Sequence, residues 1–335
     1  MRFLLDAEQR AFAASLDAML TSADTPSAVR AWATGDHAPG RALWSRLAEA
    51  GVFALAVPEA YEGVGPLPVE LAVAFVELGR HAVPGPAVET VAAAVLLSGL
   101  GEPGARGGPV PAERLLPGLA SGKSVTTFAP AGAYALDADT ATALLVVDGD
   151  TLRLAPGHGP VRASVDRARR LALPEPGGEL LAAGPQVTRA AREALTWARL
   201  ATAAQALGVG LALLDRTVAY VGQRTQFGVP VGSFQAVKHR LADATIALEF
   251  ARPLLFGAAL SMTPVDVAAA KVTACEAAYT TARTALQLHG AIGYTAEYDL
   301  SLWFTKARAL RTAWGTPSEC RAEALAGLSG GGPRP

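Results

Sequence analysis

The sequence predicts a mostly α-helical protein with a small β module between two helical parts. Apolar residues recur at helical spacing over the first third of the chain, short apolar runs separated by Gly, Pro and Asp follow, and long helical patterns resume after Pro185. We therefore expect an N-terminal helical domain (1–121), a truncated β domain (122–185), a C-terminal helical bundle (186–328) and a disordered Gly- and Pro-rich tail (329–335).

Five helices are predicted in the N-terminal part. The first covers residues 7–20, where Asp6 can cap the helix and Gln9 can complete a capping box. The second lies in "RALWSRLAEAG" and ends at Gly51, after which "VPEAYEGVGP" permits only a loop. Apolar periodicity predicts the other three over residues 67–82, 87–99 and 112–121.

Strands are predicted from residue 123, where the apolar period changes. The stretches "SVTTFAP", "TATALLVVDGDTLRLAP" and "RRLALP" each contain a short apolar run. Asp148-Gly149 lies between two of these runs and is typical of a two-residue hairpin turn. The sequence therefore predicts a β-rich module in this part of the chain.

Helices are predicted again after Pro185. Their apolar patterns cover residues 186–222, 234–261, 264–290, 298–312 and 317–327. Because the first four are joined by short turns, we expect them to pack against one another as an antiparallel bundle. Helices this long and apolar carry more hydrophobic surface than one bundle can cover, so an oligomer is expected as well.

Charge and composition exclude several classes of function. The chain has 29 basic and 30 acidic residues and a formal net charge of −1, which gives no electrostatic attraction to nucleic acid or to an anionic membrane. No signal-peptide pattern opens the sequence, so a cytoplasmic location is expected. Cys275 and Cys320 cannot build a disulfide framework or a cysteine zinc site, and the histidines show no ligand spacing. No metal site is predicted.

Three stretches resemble motifs of one known family. "YVGQRTQFGVPVGSFQAVKHRLAD" is similar to Y-x-x-x-R-x-Q-F-G-x-P-[IV]-x-x-F-Q-x-[VI]-x-x-x-L-A. "LQLHGAIGYTAEYDL" resembles L-Q-x-x-G-G-x-G-[YF]-x-x-E-x-x-[LV], and "GVFALAVPEAYEGVG" resembles G-[LI]-x-x-x-x-V-P-E-x-x-G-G-x-G. The family is that of the acyl-CoA dehydrogenases, whose domains follow the same order. The resemblance implies their fold, FAD as cofactor and α,β-desaturation of a CoA thioester.

The resemblance also implies which residues contact FAD. Arg224 would offer donors to the pyrophosphate, Gln226 an amide to a polar edge, and Phe227 a ring face to the adenine. Taken singly, such residues are more often an ion-pair partner or part of a core, and their co-occurrence at the family's spacing favours the cofactor role. The full set of implied FAD contacts is Arg224, Gln226, Phe227, Gln287, Gly290, Gly315 and Thr316.

The family pattern breaks at the catalytic base. Desaturation needs a carboxylate to remove the α-proton. Most members carry Glu directly before the Gly-Thr pair, where this chain has Trp314, and the alternative position on the first bundle helix aligns with Ala198. The β module also lacks the T-E-P-x-x-G-S-D and W-[IV]-[ST] segments that hold the flavin ring. We therefore assign no catalytic residue to this chain.

A chain that keeps the FAD clamp but lacks the base resembles the shorter, degenerate subunits of actinobacterial heteromeric acyl-CoA dehydrogenases. In those α2β2 tetramers a complete and a degenerate subunit share FAD. The resemblance implies three partners: a longer homologous subunit, an acyl-CoA substrate and an electron-transferring flavoprotein.

Two alternatives stay open. One is a self-sufficient flavoenzyme that uses a displaced carboxylate, for which the candidates are Glu193, Asp215, Asp243, Glu249 and Glu319. The other is a redox-inactive scaffold or acyl-CoA-binding protein on the same fold. A flavin spectrum of the chain alone and with its partner distinguishes these alternatives from a shared-FAD subunit.

Overall fold

The computed structural model describes residues 4–100 and 111–329, which form helices, two small sheets and one separate hairpin. The α-helices of these residues are α1 (Ala7–Thr21), α2 (Thr25–Thr34), α3 (Ala38–Glu49), α4 (Pro68–Arg80), α5 (Ala87–Ser98), α6 (Pro111–Ala120), α7 (Pro185–Gln223), α8 (Gln235–Ser261), α9 (Pro264–His289), α10 (Leu300–Leu310) and α11 (Pro317–Ser329). The strands are β1 (Thr126–Pro130), β2 (Ala135–Leu136), β3 (Ala143–Asp148), β4 (Thr151–Leu154), β5 (Arg162–Ala163), β6 (Arg170–Ala172), β7 (Glu179–Ala183), β8 (Thr225–Gln226) and β9 (Val229–Pro230).

The predicted order of helices, strands and helices is confirmed, and so is the mostly helical fold class. The Asp6–Gln9 capping box is present, with Gln9 N donating to Asp6 Oδ1 at 2.8 Å and Asp6 N donating to Gln9 Oε1 at 3.1 Å. Helix α2 was not predicted. Of the predicted tail, residue 329 ends α11 and residues 330–335 lie outside the described part of the chain.

The chain divides into two compact units. In the described residues, one unit contains 4–26, 72–82 and 202–329, and the other contains 27–71, 83–100 and 111–201. Residues of α2, α4 and α7 fall partly in each unit, because these three helices continue across a division point. The three-domain division with boundaries near residues 121 and 185 remains a prediction.

The unit that contains the β module is built on two sheets. Strands β1, β3, β4 and β7 form a sheet in that order, with β1 parallel to β3 and the other pairs antiparallel. Strands β2, β6 and β5 form the second sheet. Their inner faces bury Ala129, Ala135, Leu144 and Ala172 in one cluster. The predicted hairpin exists, but its two-residue turn is Gly149-Asp150, because Asp148 pairs with Thr151 inside the ladder.

The unit that contains the long helices is packed around α9. Helices α8, α10 and α11 all lie against α9, and the core cluster includes Val209, Leu213, Trp303 and Leu310. Two glycines let α4 and α7 approach closely. A Cβ at Gly208 would lie 1.9 Å from the Val76 carbonyl oxygen, and a Cβ at Gly79 would lie 2.0 Å from the Gln205 carbonyl oxygen. Only glycine fits at these crossing positions.

Helices α7 and α8 are long and apolar enough, by length and composition, to cross a membrane. Their surroundings differ. The most apolar stretch of α7 is 100% buried, whereas that of α8 is 39% buried. Helix α7 is therefore a core helix, and α8 presents an apolar face at the surface of its unit.

Candidate functional site

The motif stretch that begins at Arg224 opens with a β-hairpin, which lies between the two helices predicted over residues 186–222 and 234–261. Strands β8 and β9 pair Gln226 with Val229, and helix α8 begins only after the hairpin. Phe227 and Gly228 occupy the two-residue turn with φ of 54° and 82°. Two positive φ values are typical of a type I′ turn, whose twist matches that of paired strands. The turn places Phe227 at the tip, where it is 93% exposed.

Arg224 lies at the base of this hairpin and joins it to the end of α9. Its Nη1 donates to the Tyr220 hydroxyl and, at 3.4 Å, to the carbonyl oxygen of His289. The Tyr220 hydroxyl donates to the same carbonyl at 3.3 Å. The structure therefore brings together the two motifs that the sequence predicted to contact FAD, although they are about 65 residues apart.

His289 is a buried residue that packs against this junction. The ring is fully buried, stacks on Tyr220 with centroids 4.2 Å apart, and its Nδ1 lies 2.8 Å from the Ala285 carbonyl oxygen. Burial lowers the pKa of His289, and the nearby Arg224 charge lowers it further. The lowered pKa favours the neutral imidazole, whose ring supports the packing of α7 against α9 by stacking on Tyr220.

Gln287 and Gly290 border the same junction. Gln287 is exposed near the end of α9, and Gly290 ends that helix with φ of 63° and ψ of −139°. Apart from its two chain neighbours, no atom of the described residues lies within 4 Å of the position that a Cβ on Gly290 would take. An exposed amide beside an open stretch of backbone is suited to close contact with a planar or sugar group. Gln226, the remaining predicted residue here, is also exposed, and its Nε2 donates to the Thr225 carbonyl oxygen at 2.8 Å.

Gly315 and Thr316 lie elsewhere in the same unit, at the start of α11. Thr316 caps this helix: its hydroxyl accepts from Glu319 N at 3.3 Å, and Glu319 Oε2 accepts from Thr316 N at 2.7 Å. The Gly315 carbonyl oxygen accepts from Lys271 of α9. Lys271 precedes His289 by 18 residues, which corresponds to about 27 Å along a helix. The predicted FAD contacts therefore form two separate groups.

Neither expected base position carries an acid. Ala198 is fully buried within α7, and Trp314 is half-buried with φ of 57°. Among the displaced candidates, Glu319 is held in the capping box described above, and Glu249 is paired with Arg252 at 3.2 Å. These contacts give both carboxylates structural roles at the surface.

A cavity of about 390 Å³ adjoins the Arg224 junction. It is lined by Arg216, Ala219, Tyr220, Gln223, Glu297, Tyr298, Asp299 and Leu300. The guanidinium of Arg216 lies 4.0 Å from the centroid of the Trp303 ring, and burial lowers the pKa of Arg216. Sequence analysis did not single out Arg216. A sequence pattern could have indicated it, because Arg216 and Tyr220 lie four residues apart on one face of α7 and Arg224 follows at the same spacing directly after the helix ends.

One group of side chains has the composition of a metal site. Asp17, Glu77 and His81 each offer one ligand atom, all within 4.8 Å of one another. His81 Nε2 is already hydrogen-bonded to Asp17 Oδ1 at 2.8 Å, and Arg80 Nε lies 3.8 Å from Glu77 Oε2. Burial raises the pKa of Glu77 to about 7, although the Arg80 charge opposes this shift. A cation would have to compete with the Arg80 guanidinium, so we assign these residues to a hydrogen-bonded network.

Comparison with known proteins gives consistent results. The family model described as acyl-CoA dehydrogenase, C-terminal domain, matches residues 188–326, and the model of the N-terminal domain matches residues 6–123. The chain is 33% identical over 297 residues to the acyl-CoA dehydrogenase IpdE2 of Mycobacterium tuberculosis, covering 88% of this chain and 89% of that protein.

Two solved structures are also similar. The Tcur3481-Tcur3483 steroid ACAD (G363A variant) has a TM-score of 0.81 and 27% identity, covering 96% of this chain and 98% of that one. The ChsE4-ChsE5 complex of Mycobacterium tuberculosis has a TM-score of 0.83 and 23% identity, covering 99% of this chain and 100% of that one, and shows the shared fold. On its domain matches and its similarity to a relative of nearly equal length, the chain belongs to the acyl-CoA dehydrogenase family of FAD-dependent oxidoreductases.

Proposed function

We propose that this chain is one subunit of a flavin-dependent acyl-CoA dehydrogenase complex that desaturates a CoA thioester between its α and β carbons. In this complex the chain supplies Arg224, Gln226, Phe227, Gln287 and Gly290 to the pyrophosphate and adenine half of an FAD that another subunit also binds. The observation that carries the proposal is the hairpin, which projects an aromatic ring with 93% exposure beside an arginine and an open backbone.

The separation of the predicted contacts supports sharing of FAD between subunits. The Arg224 group lies at the carboxyl end of α9, and Gly315 lies about 27 Å away along that helix. That distance exceeds the reach of any side chain, so the two groups contact different ends of a dinucleotide or two different dinucleotides. Each group is then half of a site, which a second subunit completes.

The surface of α8 supports association. Ile246, Phe250 and Leu254 follow one another at four-residue spacing and are 54%, 69% and 46% exposed. We call these three residues the α8 apolar stripe. An apolar stripe of this kind on an exposed helix is typical of a surface that another protein covers. The α8 apolar stripe belongs to the same helix that follows the hairpin, so one partner could cover both.

The residues of the hairpin are suited to binding and orienting a dinucleotide. Arg224 provides a planar group with five N–H donors, which matches phosphate oxygens, and the contacts to Tyr220 and His289 hold it in place. Phe227 offers an aromatic face that would be buried by an adenine ring. When FAD is bound, its flavin supplies the acceptor for the β-hydrogen. The hairpin residues of this chain would hold the dinucleotide in position and exclude water from it.

The base that removes the α-proton must then come from another polypeptide. Trp314 and Ala198 cannot accept a proton, and loss of a general base typically costs about 10² to 10⁴ in rate. A longer homologous subunit with Glu at the family position fulfils this requirement. The similarity to a steroid ACAD composed of two named chains supports such a partner and favours a bulky acyl group on the substrate.

We further propose a cytoplasmic location and electron transfer to an electron-transferring flavoprotein, as is usual for the family. The competing candidates are an autonomous flavoenzyme with a displaced base and a redox-inactive binding protein. The first is disfavoured by the structural contacts of Glu249 and Glu319. The second is disfavoured by the retained hairpin, since a scaffold has no need of an exposed Arg and Phe beside an open glycine.

The proposal is tested by expressing the chain alone and together with a longer homologous subunit that carries the Glu. Each preparation is purified to homogeneity, and the ratio of flavin absorbance to protein absorbance is measured. We expect little flavin in the chain alone, stoichiometric flavin in the complex, and turnover of acyl-CoA with an artificial electron acceptor only in the complex.

Two results would contradict the proposal. Stoichiometric FAD and ordinary dehydrogenase turnover in the isolated chain would favour an autonomous enzyme with a displaced carboxylate. Absence of flavin from both preparations, in spite of stable association, would favour the scaffold. A partner variant with its catalytic Glu replaced by Gln serves as control, because it should keep flavin and lose turnover.

A further inference from the structure

Lys271 is a lysine of α9 with no solvent exposure. Its ammonium group donates to two main-chain carbonyl oxygens, that of Arg311 at 3.2 Å and that of Gly315. Removing a charged ammonium from water costs several kcal/mol unless its donors are satisfied. The two carbonyls offset that cost, and both belong to the short segment that connects α10 to α11.

Two further residues of α9 hold the end of α10 and the start of this segment. The Cys275 thiol donates to the Leu310 carbonyl oxygen at 3.5 Å, and burial raises the pKa of Cys275 to about 11, so the thiol keeps its proton. Glu276 accepts from Arg311 Nε at 2.7 Å. The carbonyls of residues 310 and 311 end α10, where the helix dipole favours a positive charge such as that of Lys271.

The segment needs such support because its backbone is strained. Trp314 and Gly315 have φ values of 57° and 130°, and the left-handed region is unfavourable for a residue as large as tryptophan. Such a conformation persists only when its surroundings determine it. The bond from Lys271 to the Gly315 carbonyl fixes the orientation of the peptide that links Gly315 to Thr316.

We propose that Lys271 is a positioning residue for the FAD half-site at Gly315 and Thr316. By fixing the Gly315 carbonyl, its ammonium orients the peptide between Gly315 and Thr316 and keeps Trp314 in its left-handed conformation. This inference rests on the proposed function, in which Gly315 and Thr316 contact the cofactor. Lys271 does not touch FAD and acts through the segment that it holds.

A purely structural role for Lys271 makes a different prediction. If the lysine served only to cap α10, its replacement would lower the melting temperature and leave the affinity for FAD of the folded complex unchanged. If it positions the half-site, FAD affinity falls even at temperatures where the complex remains folded. Flavin retention per folded complex therefore separates the two roles.

The experiment uses the complex of this chain with its longer homologous subunit. FAD release on dilution is followed by flavin fluorescence for the wild type, Lys271→Met and Lys271→Arg. We expect Lys271→Met to weaken FAD binding by about 10- to 100-fold, the usual effect of losing hydrogen bonds from a charged group. Lys271→Arg keeps the charge and donors and should recover part of the loss.

Thr281→Ala is the matched control. Thr281 is also buried on α9, but its hydroxyl donates to the Ala277 carbonyl within the same helix and not to the 310–316 segment. This variant should lose melting temperature without losing FAD. If Lys271→Met does not give a folded complex, Gly315→Ala tests the same geometry, because a side chain at φ of 130° must shift the segment.

The outcomes separate failure of this inference from failure of the proposed function. A wild-type complex that holds no FAD contradicts the proposed function. A wild-type complex that holds FAD, together with Lys271→Met and Gly315→Ala variants that bind FAD with unchanged affinity, overturns the role of Lys271 alone. Equal loss of FAD in Lys271→Met and Thr281→Ala would assign the effect to general destabilisation and would also overturn the inference.

Discussion

Arg224 is held in a way that is compatible with binding an anion. Its contacts with the Tyr220 hydroxyl and the His289 carbonyl engage one guanidinium nitrogen, Nη1, and the guanidinium carbon lies 5.7 Å from the centroid of the Tyr220 ring. These contacts restrict the side chain before a ligand arrives, which reduces the entropy lost on binding. Burial lowers the pKa of the neighbouring His289, which favours a neutral ring that does not repel the Arg224 guanidinium.

Replacing Arg224 with Ala should therefore weaken retention of FAD in the assembled complex by roughly 1.5 to 3 kcal/mol, the usual worth of a hydrogen bond to a charged group. Flavin content and melting temperature are measured on the same preparation. Arg308→Ala is a matched control, because Arg308 Nη1 also contacts a tyrosine hydroxyl, that of Tyr279 at 3.4 Å, on a different helix. Equal flavin content in both variants would refute the role of Arg224.

Asp137 should make stability depend on pH. Burial raises the pKa of this fully buried carboxyl to about 7, despite the Arg170 N–H and the Trp32 indole, which both lower it. In the unfolded chain the Asp137 carboxyl ionises near pH 4. The free energy of unfolding therefore falls as pH rises from about 4 to about 7. Asp137→Asn should remove this loss, which is about 4 kcal/mol over the full window and about 3 kcal/mol between pH 5 and pH 8.

Urea unfolding at pH 5 and pH 8 measures the effect of Asp137→Asn. The free energy of unfolding should fall between pH 5 and pH 8 in the wild type, and it should fall less in Asp137→Asn. Asp148→Asn, at an exposed aspartate, is the control and should leave the pH dependence unchanged. A wild-type difference that persists in Asp137→Asn would assign the pH dependence to another group, such as Glu77.

At the scale of elements, the crossing of α4 and α7 depends on the absence of two side chains. Gly208→Ala would place a Cβ 1.9 Å from the Val76 carbonyl oxygen and should lower the free energy of unfolding by about 2 to 4 kcal/mol. Gly222 lies in the same helix, and its added Cβ would meet no neighbouring atom within 4 Å among the residues that the structure describes, so Gly222→Ala should raise the free energy of unfolding by about 0.5 to 1 kcal/mol. Chemical denaturation of both variants tests this, and equal effects would contradict the close crossing.

The long helices could be predicted from sequence because their apolar periodicity extends over several turns. The short elements could not. Strands β2 and β5 have two residues each and carry too little pattern to be recognised, and α2 begins four residues after α1 ends. The hairpin at Phe227 lies between two predicted helices and was not predicted as a pair of strands, although Gly228 and Pro230 within it are residues that favour turns and edge strands.

The site was predictable only as a list of residues. Sequence spacing gave Arg224 and Gly290 as members of two motifs, and the folded chain places these motifs together through the His289 carbonyl. Sequence spacing could not predict that Gly315 lies far from the Arg224 group, because this distance depends on where α11 packs along α9. Sequence spacing also could not predict the burial of Lys271, because a lysine in a helical pattern is usually exposed.

At the scale of the whole molecule, the α8 apolar stripe should be covered in the complex. Phe250→Asp should abolish association with the longer subunit and leave the melting temperature of the isolated chain nearly unchanged, because Phe250 is 69% exposed there. Val165→Asp, at a loop position that is 50% exposed, is the matched control. Sedimentation of the mixed subunits measures association, and a Phe250→Asp chain that still binds its partner would exclude this surface.

Because this chain lacks the catalytic base, we expect desaturation only in the assembled complex. Trp314→Glu would restore a carboxylate at the family position, yet we expect little turnover from the isolated chain. Two reasons apply: the flavin-holding segments of the β module are absent from the sequence, and catalysis requires the base, the thioester and the flavin in one fixed geometry. A second subunit is needed for that geometry.

Turnover of several acyl-CoA substrates with an artificial electron acceptor is measured for wild type and Trp314→Glu, each purified alone and to homogeneity. Both should show no more than background activity, and the complex with the longer subunit should be active with wild-type Trp314 in place. If Trp314→Glu alone reached ordinary dehydrogenase rates with stoichiometric FAD, the chain would hold a complete flavin site, and loss of the base would be its only departure from an autonomous enzyme.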